Sequence, residues 1–121
     1  MRSKKLDLPS IRSATHAIDE LGSNNSEMMA TRAIHINVLL ERVPADAARL
    51  IKSVYNQVGA EAAISSQAYH GEDNAITDMI AMGTVYQHRE VRRVLTASSP
   101  WVRPWLHEIE EIVENAPETV G

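Results

Sequence analysis

Three arginines close together in the sequence are the first candidates for chemistry in this 121-residue chain. Arg89, Arg92 and Arg93 are spaced so that a helix would place their like charges side by side. Such a cluster needs an anion, and one hypothesis is a contact with phosphate or nucleic acid. The alternative is neutralisation by Glu108 and Glu111 of a later helix. The net charge of −4 favours this alternative, because DNA-binding domains are usually basic.

Glu90 is the carboxylate that could act as an acid or base, since burial among apolar residues raises the pKa of a carboxyl group. An ion pair with Arg12, Arg32 or Arg49 is the structural alternative, and we favour it because no second convergent group accompanies Glu90. The sequence contains no cysteine, no glycine-rich phosphate loop and no nucleophile elbow. We therefore predict no catalytic residue, and a small all-α enzyme using Glu90 and His88 is the second alternative.

Five histidines and an acidic turn raise the question of a metal site. The turn from His70 to Asp73 offers imidazole and carboxylate groups, but acidic residues just before a helix also cap it. His107 has Glu110 and Glu111 at helical spacing, but no second pair of this kind occurs in the chain. We predict neither a bound metal nor another cofactor, and keep a metal-binding protein beside the enzyme in the second alternative.

One stretch, residues 74–97, contains most of these side chains and is expected to organise the fold. Its apolar residues recur at spacings of three and four, the period of a helix, at Ile76, Met79, Ile80, Gly83, Tyr86, Val91 and Val94. The pattern predicts one long central amphipathic helix. Its apolar stripe is wide, so we expect it to contact more than one neighbouring helix.

The rest of the chain is interpreted as further helices. Apolar periodicity and capping residues predict helices beginning near Pro9, Asn24, Pro44 and Pro104. Gly59 leaves open whether residues 44–69 form one helix or two. The turn before Pro104 is short, so the last two helices are expected to form an antiparallel hairpin.

The predicted fold is an all-α, single-domain bundle of about five helices over residues 1–121. Residues 1–8 form a basic N-terminal arm, and residues 116–121 form a C-terminal tail that follows an acidic last helix. No secretory signal or membrane span is recognisable, and cysteine is absent, which fits a reducing compartment. We expect a cytoplasmic protein, or a virion protein if the chain is viral.

The predicted interaction residues combine a proline turn with the central stripe. Trp101 and Trp105 flank the turn, where aromatic side chains often anchor a partner. The stripe contributes four further residues, Met79, Met82, Tyr86 and Glu90.

These helices would carry more apolar surface than a small bundle can bury, and the two ends of the chain are oppositely charged. The sequence therefore favours a non-enzymatic helical interaction or structural subunit of a homo-oligomer or larger multiprotein assembly, whether cellular or viral. Its expected partner is protein, either a second copy or a neighbouring subunit, with no membrane involved. A regulatory nucleic-acid-binding protein that uses the arginine cluster is the first alternative.

Overall fold

The computed structural model describes residues 1–71 and 74–116, in which helices pack on one face of a three-stranded antiparallel sheet. Helices contribute 54% of the structure and strands 20%. The elements follow in the order α1 (Ile11–Asp19), α2 (Ser26–Ala30), β1 (His35–Pro44), α3 (Ala45–Gln57), β2 (Glu61–Ile64), α4 (Ser66–Tyr69), β3 (Ile76–Thr84), α5 (Val85–Ser98), a 3₁₀ turn (Pro100–Val102) and α6 (Arg103–Asn115).

The prediction of an all-α bundle is wrong, and the predicted central helix is where it fails. Residues 76–84 form strand β3, and only the second half of the stretch, α5, is helical. In β3 the alternate residues Thr77, Met79 and Ala81 are buried. The alternation of a strand is hidden in the sequence because Ile76 and Ile80, on the opposite side of the strand, are apolar too.

The predicted second helix is wrong for the same reason. Only residues 26–30 of it are helical, and the apolar residues beyond them belong to strand β1. Ile36, Val38 and Leu40 are buried, whereas Leu39 between them is 54% exposed. The spacing from Ile36 to Leu40 fits both a helix and a strand, and tertiary pairing with β3 decides between them.

The sheet order is β1–β3–β2, with β3 antiparallel to both neighbours. Strands β1 and β2 therefore run in the same direction with β3 inserted between them, which is a split β–α–β arrangement. Helix α3 connects β1 to β2, and α5 follows β3. Both helices pack on the same face of the sheet, called the inner face, where Ile51, Tyr55, Val91 and Leu95 join Met79 in the core.

The abrupt change from β3 to α5 has a local cause at Thr84. The backbone N–H of Gln87 donates to Thr84 Oγ1 (3.1 Å), and the backbone N–H of Thr84 donates to Gln87 Oε1 (2.9 Å). This reciprocal capping box satisfies two N–H groups at the start of the helix. The preceding Gly83 is buried, and a Cβ there would lie 3.2–3.3 Å from atoms of Gln87 and Ala60. Glycine therefore fits here without displacing the side chains of Gln87 and Ala60.

A β-bulge interrupts the pairing of β1 with β3. The register shifts between Leu40 and Val43, so that Glu41 and Arg42 together lie opposite Asp78. Arg42 has φ 60°, a left-handed conformation that few residues other than glycine adopt. Its backbone N–H donates to Asp78 Oδ1 at 3.1 Å, which helps to hold the bulge in place.

Candidate interaction surface

The face of the sheet opposite the helices, called the outer face, is not covered by any described element. It presents side chains from all three strands. They are His35, Asn37, Leu39 and Glu41 of β1, Glu61 and Ala63 of β2, and Ile76, Asp78, Ile80 and Met82 of β3. Met82 is half-buried and the others are exposed.

Strand register places an apolar row across the middle of this face. Leu39 lies directly opposite Ile80 on one side, and Ala63 lies opposite Ile80 on the other. Leu39 is 54% exposed and Ile80 is 42% exposed. An antiparallel sheet with one face in water usually places polar side chains on that face. The apolar row across three strands departs from this pattern, which makes the outer face the candidate interaction surface.

Polar groups of both signs border this row. Met82, next to Ile80 on β3, lies between Asn37 and Glu61. Lys52 of α3 donates to Glu61 Oε1 at 2.7 Å, and this hydrogen bond holds the pKa of Glu61 below its usual value. On the other side of the row the bulge brings Arg42 beside Asp78. The border has both charges, as expected of the rim of an interface.

The inner face holds a buried polar pair instead of an exposed apolar row. The hydroxyl of Tyr55 lies 2.7 Å from His88 Nδ1, and His88 Nε2 lies 2.8 Å from the carbonyl oxygen of Ile36. Since a carbonyl can only accept, Nε2 carries the proton and Nδ1 accepts from the tyrosine. Burial raises the pKa of Tyr55 and is the largest cause of a lowered pKa at His88. Both groups are therefore neutral near pH 7.

The space beside this pair is too small for a substrate. The cavity between α5 and α6 that Tyr55 and His88 line has a volume of about 10 Å³. That volume is about enough for one water molecule. The pair ties α3 and α5 to strand β1, so its geometry fits a role in positioning the core.

The arginine cluster is paired within the chain. Arg89 makes a bidentate contact with Glu114, in which Nε donates to Oε2 at 2.9 Å and Nη2 donates to Oε1 at 2.7 Å. Arg92 forms an ion pair with Glu110. The predicted partners were Glu108 and Glu111, so the carboxylates come from the predicted helix but from other positions on it. Pairing with Arg89 lowers the pKa of Glu114.

These two ion pairs also fix the direction of the last helix. The earlier arginine of α5 pairs with the later glutamate of α6, and the later arginine pairs with the earlier glutamate. Helices α5 and α6 therefore run antiparallel. The contact between α5 and α6, called the seam, therefore neutralises two of the three positive charges that a phosphate contact would need.

Glu90 pairs within its own helix. Its carboxylate accepts from Arg93 Nε at 2.8 Å, whereas the sequence had suggested Arg12, Arg32 or Arg49. The hydrogen bond from Arg93 is the largest cause of a lowered pKa at Glu90. A general acid at neutral pH would need the opposite shift. Arg32 instead lies over the Tyr86 ring, 4.0 Å from its centroid.

The structure distributes the six predicted interaction residues over different parts of the molecule. Met79 is buried in the core, while Trp101 is 51% exposed on the 3₁₀ turn and Trp105 is half-buried on α6. Tyr86 and Glu90 are half-buried on α5. Of the six, only Met82 lies on the outer face.

The outer-face residues Leu39, Ala63 and Ile80 were missed by sequence reasoning. The helical interpretation assigned Leu39 and Ile80 to apolar helix stripes and included Ala63 in the helix or helices predicted over residues 44–69, whereas Ala63 lies in strand β2. The available signal was a strand that is apolar at both even and odd positions, as in residues 76–83. A pattern that is apolar on both faces is typical of a strand that is covered on both sides.

The candidate metal ligands do not converge in the part of the chain that the structure describes. Over residues 1–71 and 74–116, no group of three or more His, Asp or Glu residues is placed to hold a metal ion. His70 is exposed, and Glu72 and Asp73 of the predicted turn lie outside the described residues. His107 lies 3.2 Å from Glu111 on an exposed face of α6.

The structure describes all of the predicted N-terminal arm and only the first residue of the predicted C-terminal tail. Residues 1–7 of the basic arm are exposed, and Leu8 is half-buried against the core. Residues 117–121 of the predicted tail lie outside the described residues. Among the helices that the structure describes, none is both long and apolar enough to span a membrane.

Comparison with models of protein families, with curated proteins and with solved structures finds no significant match. Function is therefore inferred from the geometry of this chain.

Proposed function

We propose that this protein is a non-enzymatic interaction subunit that associates with a second copy of itself through the outer face of its sheet. The observation that carries the proposal is the exposed apolar row formed by Leu39, Ile80 and Ala63, one residue from each strand. The assembly is proposed to form in the cytoplasm, or in the virion if the chain is viral.

Covering this row contributes part of the free energy that association needs. Burying a large apolar side chain contributes roughly 1.5–3 kcal/mol, and a symmetric pair covers Leu39, Ile80 and Met82 twice. Because these side chains are already about half-buried or more, the sum reaches only the lower part of the roughly 4–15 kcal/mol that two proteins lose in translational and rotational freedom, and contacts of the polar rim must add to it. Face-to-face sheets about 10 Å apart interdigitate their side chains, so a twisted three-stranded sheet can bury the row.

The charges on the outer face suit a copy of the same surface. The rim contains the acidic Glu41, Glu61 and Asp78 together with Arg42, and Lys52 already neutralises Glu61. A face with one sign of charge would repel its own copy, whereas a mixed rim can pair with itself.

The polar groups elsewhere in the molecule support an interaction role. Arg89, Arg92 and Arg93 each have a carboxylate partner in the same chain, and His88 and Tyr55 satisfy each other beneath α5. The proposal therefore assigns these groups to holding the helices on the sheet, and it assigns partner binding to the sheet itself.

Size-exclusion chromatography with light scattering tests the proposal on three proteins: the wild type, Ile80→Lys and Ile112→Lys. Ile112 on α6 is 43% exposed, so it matches Ile80 in residue type and exposure but lies in the helical layer. We expect a dimer for the wild type and for Ile112→Lys, and a monomer for Ile80→Lys. Far-ultraviolet circular dichroism checks that each variant is folded.

A wild type that stays monomeric would contradict the proposal. A folded Ile80→Lys that stays dimeric would place the interface elsewhere on the molecule and would contradict it as well.

A further inference from the structure

The geometry points to one arrangement of the two copies, an inference that rests on the proposed function. The outer faces pack about a two-fold axis that runs parallel to the strands. The two β3 strands then face each other and point in the same direction, and β1 of each copy faces β2 of the other.

When the strands of the two sheets are aligned, symmetry leaves two ways to place identical faces together. A two-fold axis between the sheets can run along the strands or across them. With the axis along the strands, each row of residues across the sheet faces the same row of the partner, and β1 faces the partner's β2. Across the strands, every strand faces its own copy, and the rows on either side of Ile80 exchange places. Ile80 lies opposite the partner's Ile80 in both arrangements, because β3 is the central strand and the apolar row is its middle.

Side-chain size favours the axis along the strands. In that arrangement Leu39 faces the partner's Ala63, so a large side chain meets a small one on both sides of the central isoleucines. Interfaces and cores fill space best when large and small residues alternate in this way. The axis across the strands would bring Leu39 against the partner's Leu39 and Ala63 against the partner's Ala63, which crowds one edge and leaves a gap at the other.

The polar residues next to the apolar row favour the same arrangement. Along the strands, Asn37 faces the partner's Glu61, and an amide can donate to a carboxylate. Met82 then faces the partner's Met82. Across the strands, Met82 would instead cover the partner's Asp78, and a thioether offers a covered carboxylate neither a hydrogen bond nor an opposite charge.

The bulge at Arg42 supplies the charge that this arrangement requires. Along the strands, the Asp78 carboxylates of the two copies approach each other at one end of the interface. Arg42 lies in the neighbouring strand β1, at the bulge opposite Asp78, and is exposed. Its backbone N–H donates to Asp78 Oδ1 at 3.1 Å. Each Arg42 is thus placed to neutralise the partner's Asp78. The left-handed conformation of Arg42 at φ 60° then has a role, because bulges redirect side chains at the edges of sheets.

The absence of cysteine from the chain allows a clean test of this arrangement. Single cysteines are placed at positions 39, 63, 80 and 112, and pairs are joined with a short bismaleimide whose reach matches the spacing of about 10 Å between packed sheets. Facing positions lie within that reach. Positions on exchanged edge strands, such as the two copies of residue 39, would lie about 14 Å apart, since two strand spacings of about 4.8 Å add laterally.

Ile80→Cys is expected to cross-link to itself. Leu39→Cys mixed with an affinity-tagged Ala63→Cys is expected to form the mixed cross-linked dimer in excess of either self-linked product. Ile112→Cys, at matched exposure, reports random collision and is expected to stay unlinked at the same protein concentration. Circular dichroism and a light-scattering mass show that each variant is folded and dimeric before the reagent is added.

The possible failures are distinguishable. If Ile80→Cys links to itself while positions 39 and 63 link only to themselves, the axis lies across the strands and this inference fails although the outer face is the interface. If the protein is a dimer and none of the three outer positions links above the level of Ile112→Cys, both the arrangement and the outer face are wrong. If the wild type is a monomer, the proposed function fails first.

Discussion

The two faces of one sheet are made from similar residues and have different surroundings. On the inner face, Val38, Met79 and Ala81 are buried beneath α3 and α5. On the outer face, Leu39 and Ile80 are equally apolar and remain exposed. The inner face explains how the chain folds, whereas no described element covers the outer face. This difference is the basis of the proposed function, and it can be tested residue by residue.

The largest expected effect separates two methionines of the same strand. Met79→Ala removes a fully buried side chain from the inner face and should lower the free energy of unfolding by about 2–5 kcal/mol. Met82→Ala, on the outer face, should cost much less in the dilute monomer and should weaken association instead. Chemical denaturation at low protein concentration and light scattering at high concentration measure the two effects. Equal losses of stability would remove the distinction between the faces.

The next effect concerns the buried tyrosine and histidine under the inner face. Tyr55→Phe keeps the ring but leaves His88 Nδ1 without its donor, at a cost of about 1–3 kcal/mol. Tyr69→Phe is the matched control, because the Tyr69 ring is exposed, and it should change stability by less than about 0.5 kcal/mol. Urea denaturation compares the two variants. If Tyr55→Phe were as stable as the control, the hydrogen bond would not stabilise the core.

A pH series tests the buried histidine of the inner face. Burial is the largest cause of the lowered pKa of His88, and the charge of His35 adds to it while the Ile36 carbonyl opposes it. Below the ordinary value of 6.5 the unfolded chain therefore takes up a proton before the folded one does. The contribution of neutral His88 to the free energy of unfolding is therefore complete above pH 6.5. It is lost as the pH falls, by at most about 1.4 kcal/mol per pH unit.

Denaturation midpoints between pH 7.5 and 5.5 would reveal this loss. His88→Gln should flatten the pH profile relative to the wild type. A profile that His88→Gln does not alter would mean that His88 is not the titrating group.

The smallest effect belongs to the seam between α5 and α6. Glu114→Gln removes one partner of a half-exposed bidentate pair, and solvent screening limits the loss to about 0.2–1 kcal/mol. The loss should shrink in high salt. Glu111→Gln, on the exposed face of the same helix, is the control and should leave the thermal midpoint unchanged. A large loss that persists in high salt would contradict a mainly electrostatic seam.

Part of this fold was predictable because its signals are local. The spacing of apolar residues after Pro44 and after Pro104 predicted helical segments, and α3 and α6 occupy those positions. The capping box from Thr84 to Gln87 was equally visible in the sequence and would have marked the start of α5. It was missed because the apolar pattern extended across it.

The strands were not predictable from spacing alone. In β3 both faces are apolar, so spacings of two, three and four all occur, and only pairing with β1 and β2 selects the strand. The outer face could not be predicted from spacing either. Its apolar row forms only when three distant segments are aligned in register. Trp101 and Trp105, by contrast, were predicted as interaction residues from their residue type. The bulge at Arg42 left no sequence signal, since arginine seldom adopts a positive φ.

The solvent exposure of two isoleucine methyl groups in the wild-type protein tests the central claim most directly. Ile80 and Ile112 are matched at 42% and 43% exposure in the protomer, one on the outer face and one in the helical layer. Methyl NMR with a soluble paramagnetic agent, recorded over a dilution series, reads both at once. We predict that Ile80 is protected at high protein concentration and becomes accessible on dilution, while Ile112 stays accessible throughout. Equal accessibility of the two methyl groups at every concentration would contradict the account.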